Sequence, residues 1–192
     1  MKVKILMRPS EKINKNMSDN DRGCLEACKN CSGFNCCGVI SRGGRIEPPF
    51  LTHYDIGQIE AFTGLKQEFF SERVTNPTTG NYVHLLKSRD NACVFFDAHN
   101  GKCRIYNVRP IDCRIFPLDI KKVDTKFFWV LYDYAHCHLT QEDELHLLDL
   151  RPQALSVLGK DIVDYATFPV PGMEQMAQKI IEEIEVPSEC IC

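Results

Sequence analysis

The chain has 192 residues, of which 44% are hydrophobic and 26% charged, a composition that suits a globular protein with one hydrophobic core. Its formal net charge is −3 and its pI about 6.1, with basic residues spread along the sequence, which argues against a nucleic-acid-binding protein. The start of the chain lacks the apolar run of a signal peptide, and no stretch reaches the ~18 apolar residues of a membrane span, so we expect a cytoplasmic protein without membrane insertion.

The first part of the chain is predicted to have no core of its own. Residues 1–23 are polar and form an N-terminal arm, and residues 24–192 form a single cysteine-cluster domain whose C-terminal part, about 139–185, is helical. From Cys24 to Gly44 the sequence is rich in Cys, Gly, Asn and Ser, which bury little apolar surface. We interpret this segment as a loop folded around a metal.

A helix is predicted at 53–62, because Thr52 stands three residues before Asp55 as in a capping box, and Gly64 ends it. The next predicted elements are a short helix at 66–74, a strand at 82–86 and a hairpin of 93–97 with 102–106 around Asn100-Gly101.

The second half of the chain is predicted to continue with a short helix that carries Cys113. Pro110 suits its first turn, and Pro117 ends it. Further elements are a strand at 127–134 and helices at 139–150, 152–165 and 172–184. The mixture predicts an α+β fold, in which a small antiparallel sheet and loops surround a cysteine-ligated metal centre and helices flank it.

The 11 cysteines are the strongest deviation from an average composition. Because cytosolic thiols stay reduced, such a pattern indicates metal binding or catalysis rather than disulfides. The first group has the spacing Cys-x3-Cys-x2-Cys-x4-Cys-Cys and consists of Cys24, Cys28, Cys31, Cys36 and Cys37. Its Cys-x2-Cys step lets two thiolates of one tight loop converge on a metal.

The second group consists of Cys93, Cys103, Cys113 and Cys137. If the hairpin turns at 100–101, Cys103 pairs with a residue near 96–98, and Cys93 lies about 10 Å or more away along the ladder at ~3.3 Å per residue. The adjacent cysteines of the first group likewise point to opposite faces of an extended chain. Either the loop between Cys93 and Cys103 is wider than this, or the two thiols serve different centres. Together the arguments favour two nearby sites over one.

Cys113 lies in the first turn of its predicted helix, where the positive end of the helix dipole favours a thiolate, and Arg109 and Arg114 add positive charge. For any single cysteine the alternative is a small buried side chain. This alternative, or an exposed thiol in the tail, stays open for Cys24, Cys190 and Cys192. The histidines predicted to be ordinary polar residues are His53, His84, His99 and His146. The histidines that could be ligands, or could orient ligands, are His136 and His138.

Five motifs follow one another along the chain. They are Cys28-x2-Cys31, Cys36-Cys37, Cys93-Val94-Phe95-Phe96, Gly101-Lys102-Cys103-Arg104-Ile105-Tyr106 and Arg109-Pro110-x2-Cys113-Arg114-Ile115-Phe116-Pro117. Together, over roughly residues 24–137, they resemble the YkgJ-type cysteine-cluster family, also described as zinc- or iron-chelating CxxCxxCC domains. In the family pattern two residues separate the Cys-x2-Cys step from the double cysteine, whereas in this chain four residues, Ser32 to Asn35, separate them.

The resemblance implies eight metal ligands, and we assign no catalytic residue. The implied ligands are Cys28, Cys31, Cys36, Cys37, Cys93, Cys103, Cys113 and Cys137. The extra residues before the double cysteine leave the role of Cys24 relative to Cys28 open.

The ligand pattern favours iron–sulfur over zinc. Zinc sites usually bring together two short knuckles, and this chain has one clean knuckle. Eight thiolates suit two four-cysteine clusters, or one cluster and a structural site. The expected cofactor is therefore one or two iron–sulfur clusters of the 4Fe-4S type, with zinc as the alternative.

Three functions follow from this metal centre. The first is a non-enzymatic iron–sulfur accessory, redox-sensing or regulatory protein that docks on another protein or enzyme complex. The second is a zinc-stabilised interaction module, in which the metal replaces a missing core. The third is a cluster-dependent enzyme that modifies a protein, although the chain has no phosphate-binding loop and no nucleophilic serine elbow. We favour the first.

Overall fold

The computed structural model describes residues 48–90, 92–100, 102–133, 139–170 and 177–186. The predicted arm at 1–23 and the cysteine-rich loop from Cys24 to Gly44 lie outside the described residues. None of the helices in the described ranges has both the length and the apolar character needed to cross a membrane.

The described residues form helices and short antiparallel strands, which confirms the predicted α+β class. The helices are α1 (His53–Thr63), α2 (Gln67–Phe70), α3 (Ile111–Ile115), α4 (Gln141–Asp149), α5 (Arg151–Leu158) and α6 (Ile162–Thr167), with 3₁₀ turns at Tyr106–Val108 and Gly159–Asp161. The strands are β1 (Phe50–Leu51), β2 (Ser71–Thr75), β3 (Tyr82–Leu86), β4 (Ser88–Arg89), β5 (Ala92–Cys93), β6 (Phe96–Asp97), β7 (Lys102–Cys103), β8 (Leu118–Val123), β9 (Lys126–Tyr132) and β10 (Gln178–Ile184).

Two three-stranded sheets carry most of the strand pairing in the described part of the chain. The first sheet has the order β1-β3-β2 and the second the order β10-β9-β8. Two further ladders, β4-β5 and β6-β7, contain two residue pairs each and lie in the cysteine-bearing segment between the sheets. The predicted small antiparallel sheet is therefore two separate sheets.

Helix α1 forms as predicted, because its first turn is closed by a capping box. The Thr52 hydroxyl accepts from the Asp55 backbone N–H, and the Asp55 carboxylate accepts from the Thr52 backbone N–H. Gly64 ends the helix in the left-handed conformation at φ 68°, which a residue without a Cβ adopts without strain. The helix buries Ile56 and Ile59.

The short helix predicted at 66–74 is wrong in its second half. Only Gln67–Phe70 is helical, and Ser71–Thr75 is a strand paired with β3. The β-branched residues Val74 and Thr75 suit a strand, and Val74 packs against buried side chains on one face of the sheet.

The helix predicted at 172–184 is also wrong where the structure describes it. Residues 178–184 form β10, which pairs with β9 along its whole length, with an irregularity between Ile180 and Glu182. The predicted helical part at about 139–185 therefore ends at Thr167 within the described residues. Two helices predicted in this part, at 139–150 and 152–165, are confirmed as α4 and as α5 with α6.

Strand β8 was not predicted, although the predicted strand at 127–134 is confirmed as β9. The two strands form a hairpin that turns at Asp124, which has a positive φ of 54°. In β8 the buried residues Leu118 and Ile120 alternate with the partly exposed Asp119 and Lys121. This alternation with a period of two is the signal of a half-buried strand.

Two hydrophobic clusters lie on opposite faces of the first sheet. Val83 and Leu85 belong to the larger cluster, which also contains the buried face of the second sheet and residues of α3 to α6. Leu86 belongs to the smaller cluster, together with Ile59 of α1. Because neighbouring strand residues point to opposite faces, β3 contributes to both cores.

Candidate metal centre

Cys93 and Cys103 lie in the two short ladders between the sheets. Cys93 of β5 is opposite Ser88, and Cys103 of β7 is opposite Phe96. The second pairing confirms the predicted partner of Cys103. The chain turns after Cys93, and the backbone N–H of Phe95 lies 3.5 Å from Cys93 Sγ.

This turn removes the basis for the predicted separation of the two thiols. The estimate of about 10 Å assumed one continuous strand from Cys93 to residue 97, whereas residues 94–95 form a turn between two separate ladders. Both cysteines pack against the smaller hydrophobic cluster, and the charge of Cys103 acts on Cys93. The two thiols therefore border the same cluster and are close enough to interact electrostatically.

Burial makes both thiols reluctant to ionise. Removal from water, with a smaller contribution from Cys103, raises the pKa of Cys93 to about 11, against the opposing effects of backbone N–H groups and Arg104. Burial also raises the pKa of Cys103, against the effects of Arg109 and Arg104. A bound cation would supply the missing positive charge and displace the protons, as metals do at thiolate ligands.

Arg104 and Arg109 also donate hydrogen bonds to backbone carbonyl oxygens near the cysteines. Arg104 Nη2 donates to the carbonyl oxygen of Val94 over 2.8 Å, and so ties the turn that follows Cys103 to the turn that follows Cys93. Arg109 is buried, donates to the carbonyl oxygen of Tyr106 and lies 4.0 Å from the Tyr106 ring centroid. Arg109, predicted to act near Cys113, thus acts on Cys103.

Cys113 lies in the middle of the five-residue helix α3, which two buried carboxylates hold in place. The backbone N–H of Ile111 donates to Asp55 Oδ1 over 3.0 Å. Asp112 accepts from the backbone N–H of Phe50 over 2.8 Å and from the Tyr165 hydroxyl over 2.9 Å. Helix α3 is therefore fixed to α1, β1 and α6.

These carboxylates were not predicted to contribute to the site. Burial raises the pKa of Asp112 to about 6, with a further contribution from Asp119, while the donors from Phe50 and Tyr165 lower it. Burial likewise raises the pKa of Asp55. The capping box identified Asp55 from the sequence, but no local pattern marks its bond to α3, because the two partners are 56 positions apart.

The described cysteines supply part of a metal site. Thiolates are the donors that zinc and iron–sulfur clusters take, and no disulfide joins Cys93, Cys103 or Cys113. Within the described ranges, however, no three His, Cys, Asp or Glu side chains are arranged to hold an ion, so this trio does not form a site by itself. The other implied ligands lie outside the described residues and are Cys28, Cys31, Cys36, Cys37 and Cys137.

Some of the other candidate ligands also lie outside the described residues. The candidates outside the described residues are Cys24, His136, His138, Cys190 and Cys192. His84 and His53, predicted to be ordinary polar residues, lie next to each other with ring centroids 6.0 Å apart.

The sequence of this chain is similar to a family model and to an archaeal protein. An uncharacterized protein of Methanocaldococcus jannaschii is 30% identical over 82 residues, which are 43% of this chain and 44% of that protein. The matched segment thus spans less than half of that relative's length. No solved structure matches the chain.

The family model is CxxCxxCC, described as "Putative zinc- or iron-chelating domain", and it matches residues 27–138. This range includes all eight implied ligands and covers more than half of the chain. The chain therefore belongs to the CxxCxxCC family of zinc- or iron-chelating domains.

Proposed function

We propose that this protein holds one or two iron–sulfur clusters and acts in the cytoplasm as an accessory, redox-sensing or regulatory protein that docks on a larger protein. The observation that carries the proposal is the position of Cys93 and Cys103. Although they are ten positions apart in the sequence, both pack against the smaller hydrophobic cluster, and Arg104 acts on both thiols.

The donor chemistry supports iron–sulfur over zinc. The implied ligands are all sulfur, and soft thiolate ligation is what iron–sulfur clusters require. Cys93 and Cys103 come from separate ladders rather than from a short knuckle of the kind that zinc ribbons use. When bound, a cluster would supply one-electron chemistry, and the chain would supply the thiolates and exclude water with Phe95 and Ile105, which are both buried.

The hydrophobic core argues against the alternative, a zinc-stabilised module in which the metal replaces a missing core. Two clusters of buried side chains already hold the described residues together, and the larger one spans both sheets and four helices. A metal at Cys93 and Cys103 would lie at the border of the smaller cluster, where both cysteines are half-buried. Such a position suits a functional centre more than a substitute for a core.

The test is the content of iron, sulfide and zinc per chain after anaerobic purification, together with the visible absorption spectrum. We expect about four irons and four sulfides for each cluster, and a broad absorption band that bleaches on reduction. Stoichiometric zinc without sulfide would overturn the iron–sulfur assignment and leave zinc as the metal.

Two cysteine variants test which residues hold the metal. We expect Cys93→Ser and Cys103→Ser each to lower the iron and sulfide content, because each removes one thiolate from the same centre. Deletion of residues 188–192 is the matched control, since it removes two cysteines that are not implied ligands. If the deletion lowers the metal content as much as Cys93→Ser, the assignment of the second cysteine group is wrong.

A further inference from the structure

A second polar site lies on the first sheet and uses none of the cysteines. A pocket of about 310 Å³ opens between helix α2 and strands β2 and β3. Its lining residues are Gln67, Glu68, Ser71, Arg73 and His84. We propose that this pocket binds a small oxyanion such as a phosphate group, with the Arg73 guanidinium as the principal contact.

Arg73 has a guanidinium that is available to a ligand. Its Cζ lies 3.8 Å from the ring centroid of Tyr82, so the aromatic ring supports one face of the guanidinium, and the Arg73 side chain is exposed. Among the described residues it has no carboxylate or carbonyl partner. The arginines that do donate to protein oxygen atoms are Arg104, Arg109, Arg114 and Arg151. A planar, unpaired guanidinium in a pocket is the group that binds carboxylate and phosphate oxygens best.

The other polar groups of the pocket are held close to Arg73 by the sheet. His84 is directly opposite Arg73 in the β2–β3 ladder, so both side chains lie on the same face. His84 Nδ1 is 2.9 Å from Gln67 Nε2 and 3.2 Å from Ser71 Oγ. Amide, hydroxyl and imidazole groups are therefore already gathered beside the guanidinium and need little reordering when a ligand binds.

Arg73 supplies the positive charge beside His84. Burial lowers the pKa of His84, and His53 and Arg73 lower it further, while Asp161 raises it. The effect of Arg73 on His84 agrees with the position of the two side chains on one face of the sheet. Glu68 also lines the pocket and opposes an anion, but it is exposed and its charge is screened by water. The described part of the chain offers no three-ligand metal site here.

The test is titration of the purified full-length protein with inorganic phosphate, followed by calorimetry and by the NMR signals of the His84 ring. Sodium chloride at equal ionic strength is the control for screening. We expect a saturable shift of the His84 signals with phosphate and none with chloride. Acetate is the second probe, and it should bind more weakly because it has less charge and fewer acceptor oxygens. Tighter binding of acetate, or no saturable response to phosphate, would overturn the proposal.

Three variants identify the contact. Arg73→Gln should weaken phosphate binding about tenfold or more, as expected for loss of a charge-assisted hydrogen bond. Glu68→Gln should strengthen it severalfold, because it removes the repulsive charge. Lys126→Gln removes one positive charge from the second sheet, where Lys126 pairs with Glu183, and should leave binding unchanged. Equal weakening by Arg73→Gln and Lys126→Gln would show a response to net charge alone and would sink the proposal.

A conservative variant guards against a folding artefact. Arg73→Lys keeps the charge of the exposed side chain but loses the planar fork, so it should bind phosphate with an affinity between those of the parent protein and Arg73→Gln. The proposal does not depend on the metal, and the phosphate titration can succeed whether the cysteines hold iron, zinc or neither.

Discussion

Two aspartates of this protein have the same local role and different wider roles. Asp55 and Asp143 both close a capping box with a threonine three residues before them, and both are buried. Asp55 also accepts from the backbone N–H of Ile111, which begins the helix of Cys113. Asp143 has no such third donor among the described residues. A comparison of the two residues therefore distinguishes the stability contributed by a helix cap from the stability contributed by a tertiary hydrogen bond.

Asp55→Ala should destabilise the protein more than Asp143→Ala. Each change removes a cap worth about 1 kcal/mol, but only Asp55→Ala also leaves a buried backbone N–H without its charged acceptor. We expect the difference in free energy of unfolding to be about 1.5–3 kcal/mol, measured by urea denaturation of the protein with its metal. Equal losses would mean that the bond to Ile111 contributes nothing.

The sequence could predict the caps but not the contact. A capping box is a local pattern over four residues, so Thr52 and Asp55 could be recognised without knowledge of the fold. The bond from Asp55 to Ile111 depends on how α1 and α3 pack, and nothing within either segment encodes it. The same holds for Asp112, whose donors come from β1 and α6.

At the scale of secondary-structure elements, β10 shows where prediction from a local stretch of sequence fails. Its isoleucines at 180, 181 and 184 lie at helical spacing among Lys and Glu, which favour helices. In the structure, pairing with the aromatic strand β9 overrides this preference. Strand preference depends on the neighbouring strand, which a single sequence window does not contain.

The two outer isoleucines of β10 give a direct test of its irregular pairing with β9. Ile184 is 8% exposed and belongs to the larger cluster, whereas Ile180 is 61% exposed. Ile184→Ala should therefore lower the free energy of unfolding by about 2–4 kcal/mol, and Ile180→Ala by less than about 0.5 kcal/mol. In an amphipathic helix, and equally in a strand without an irregularity, residues four positions apart share one face, so equal losses would contradict the shift in register between Ile180 and Glu182.

The loop between β2 and β3 is tied to helix α6 by side chains. Asn76 is fully buried, and its amide donates to the carbonyl oxygen of Asp164 over 3.1 Å and to Thr167 Oγ1 over 3.2 Å. Thr79 and Asn81 donate to the Asp164 carboxylate as well. These bonds join the first sheet to a helix that comes more than eighty positions later in the chain.

Asn76→Ala should be strongly destabilising and Asn81→Ala should not. The first change removes a fully buried amide together with its bonds to Asp164 and Thr167 and the local bond from Thr78 N–H to Asn76 Oδ1, and we expect a loss of about 2–4 kcal/mol. Asn81 is exposed and contacts the same carboxylate, so water can replace it at a cost below about 1 kcal/mol. Thermal unfolding monitored by circular dichroism would reveal the difference. Similar midpoints for the two variants would refute it.

At the scale of the whole molecule, metal binding by the cysteines could be predicted from the sequence, but the position of the cysteines relative to one another could not. The number and spacing of the cysteines indicate a metal, because spacing is a property of the sequence. The convergence of Cys93 and Cys103 depends on the turn at residues 94–95, which a straight hairpin model could not anticipate. The oxyanion pocket had no signal in the sequence, since Arg73 and His84 meet only across a ladder.

Removal of the metal should weaken the protein without unfolding it. The two hydrophobic clusters do not include a metal, and the larger one joins both sheets. After treatment with a chelator under reducing conditions, we expect retained far-ultraviolet circular dichroism and a cooperative urea transition at a lower midpoint, because the metal binds only the folded state. Loss of all secondary structure would favour the zinc-stabilised module instead.

The order of strands in the second sheet has a consequence for synthesis of the protein. β9 pairs on one side with β8, which leaves the ribosome just before it, and on the other side with β10, which emerges only after helices α4, α5 and α6. At ~5–20 residues per second, the nascent chain holds the free edge of an aromatic strand for a time on the order of seconds. Such an edge is a template for pairing with other chains. Slow translation between these strands should therefore increase aggregation, and chaperones that bind extended apolar segments should act on β9 first.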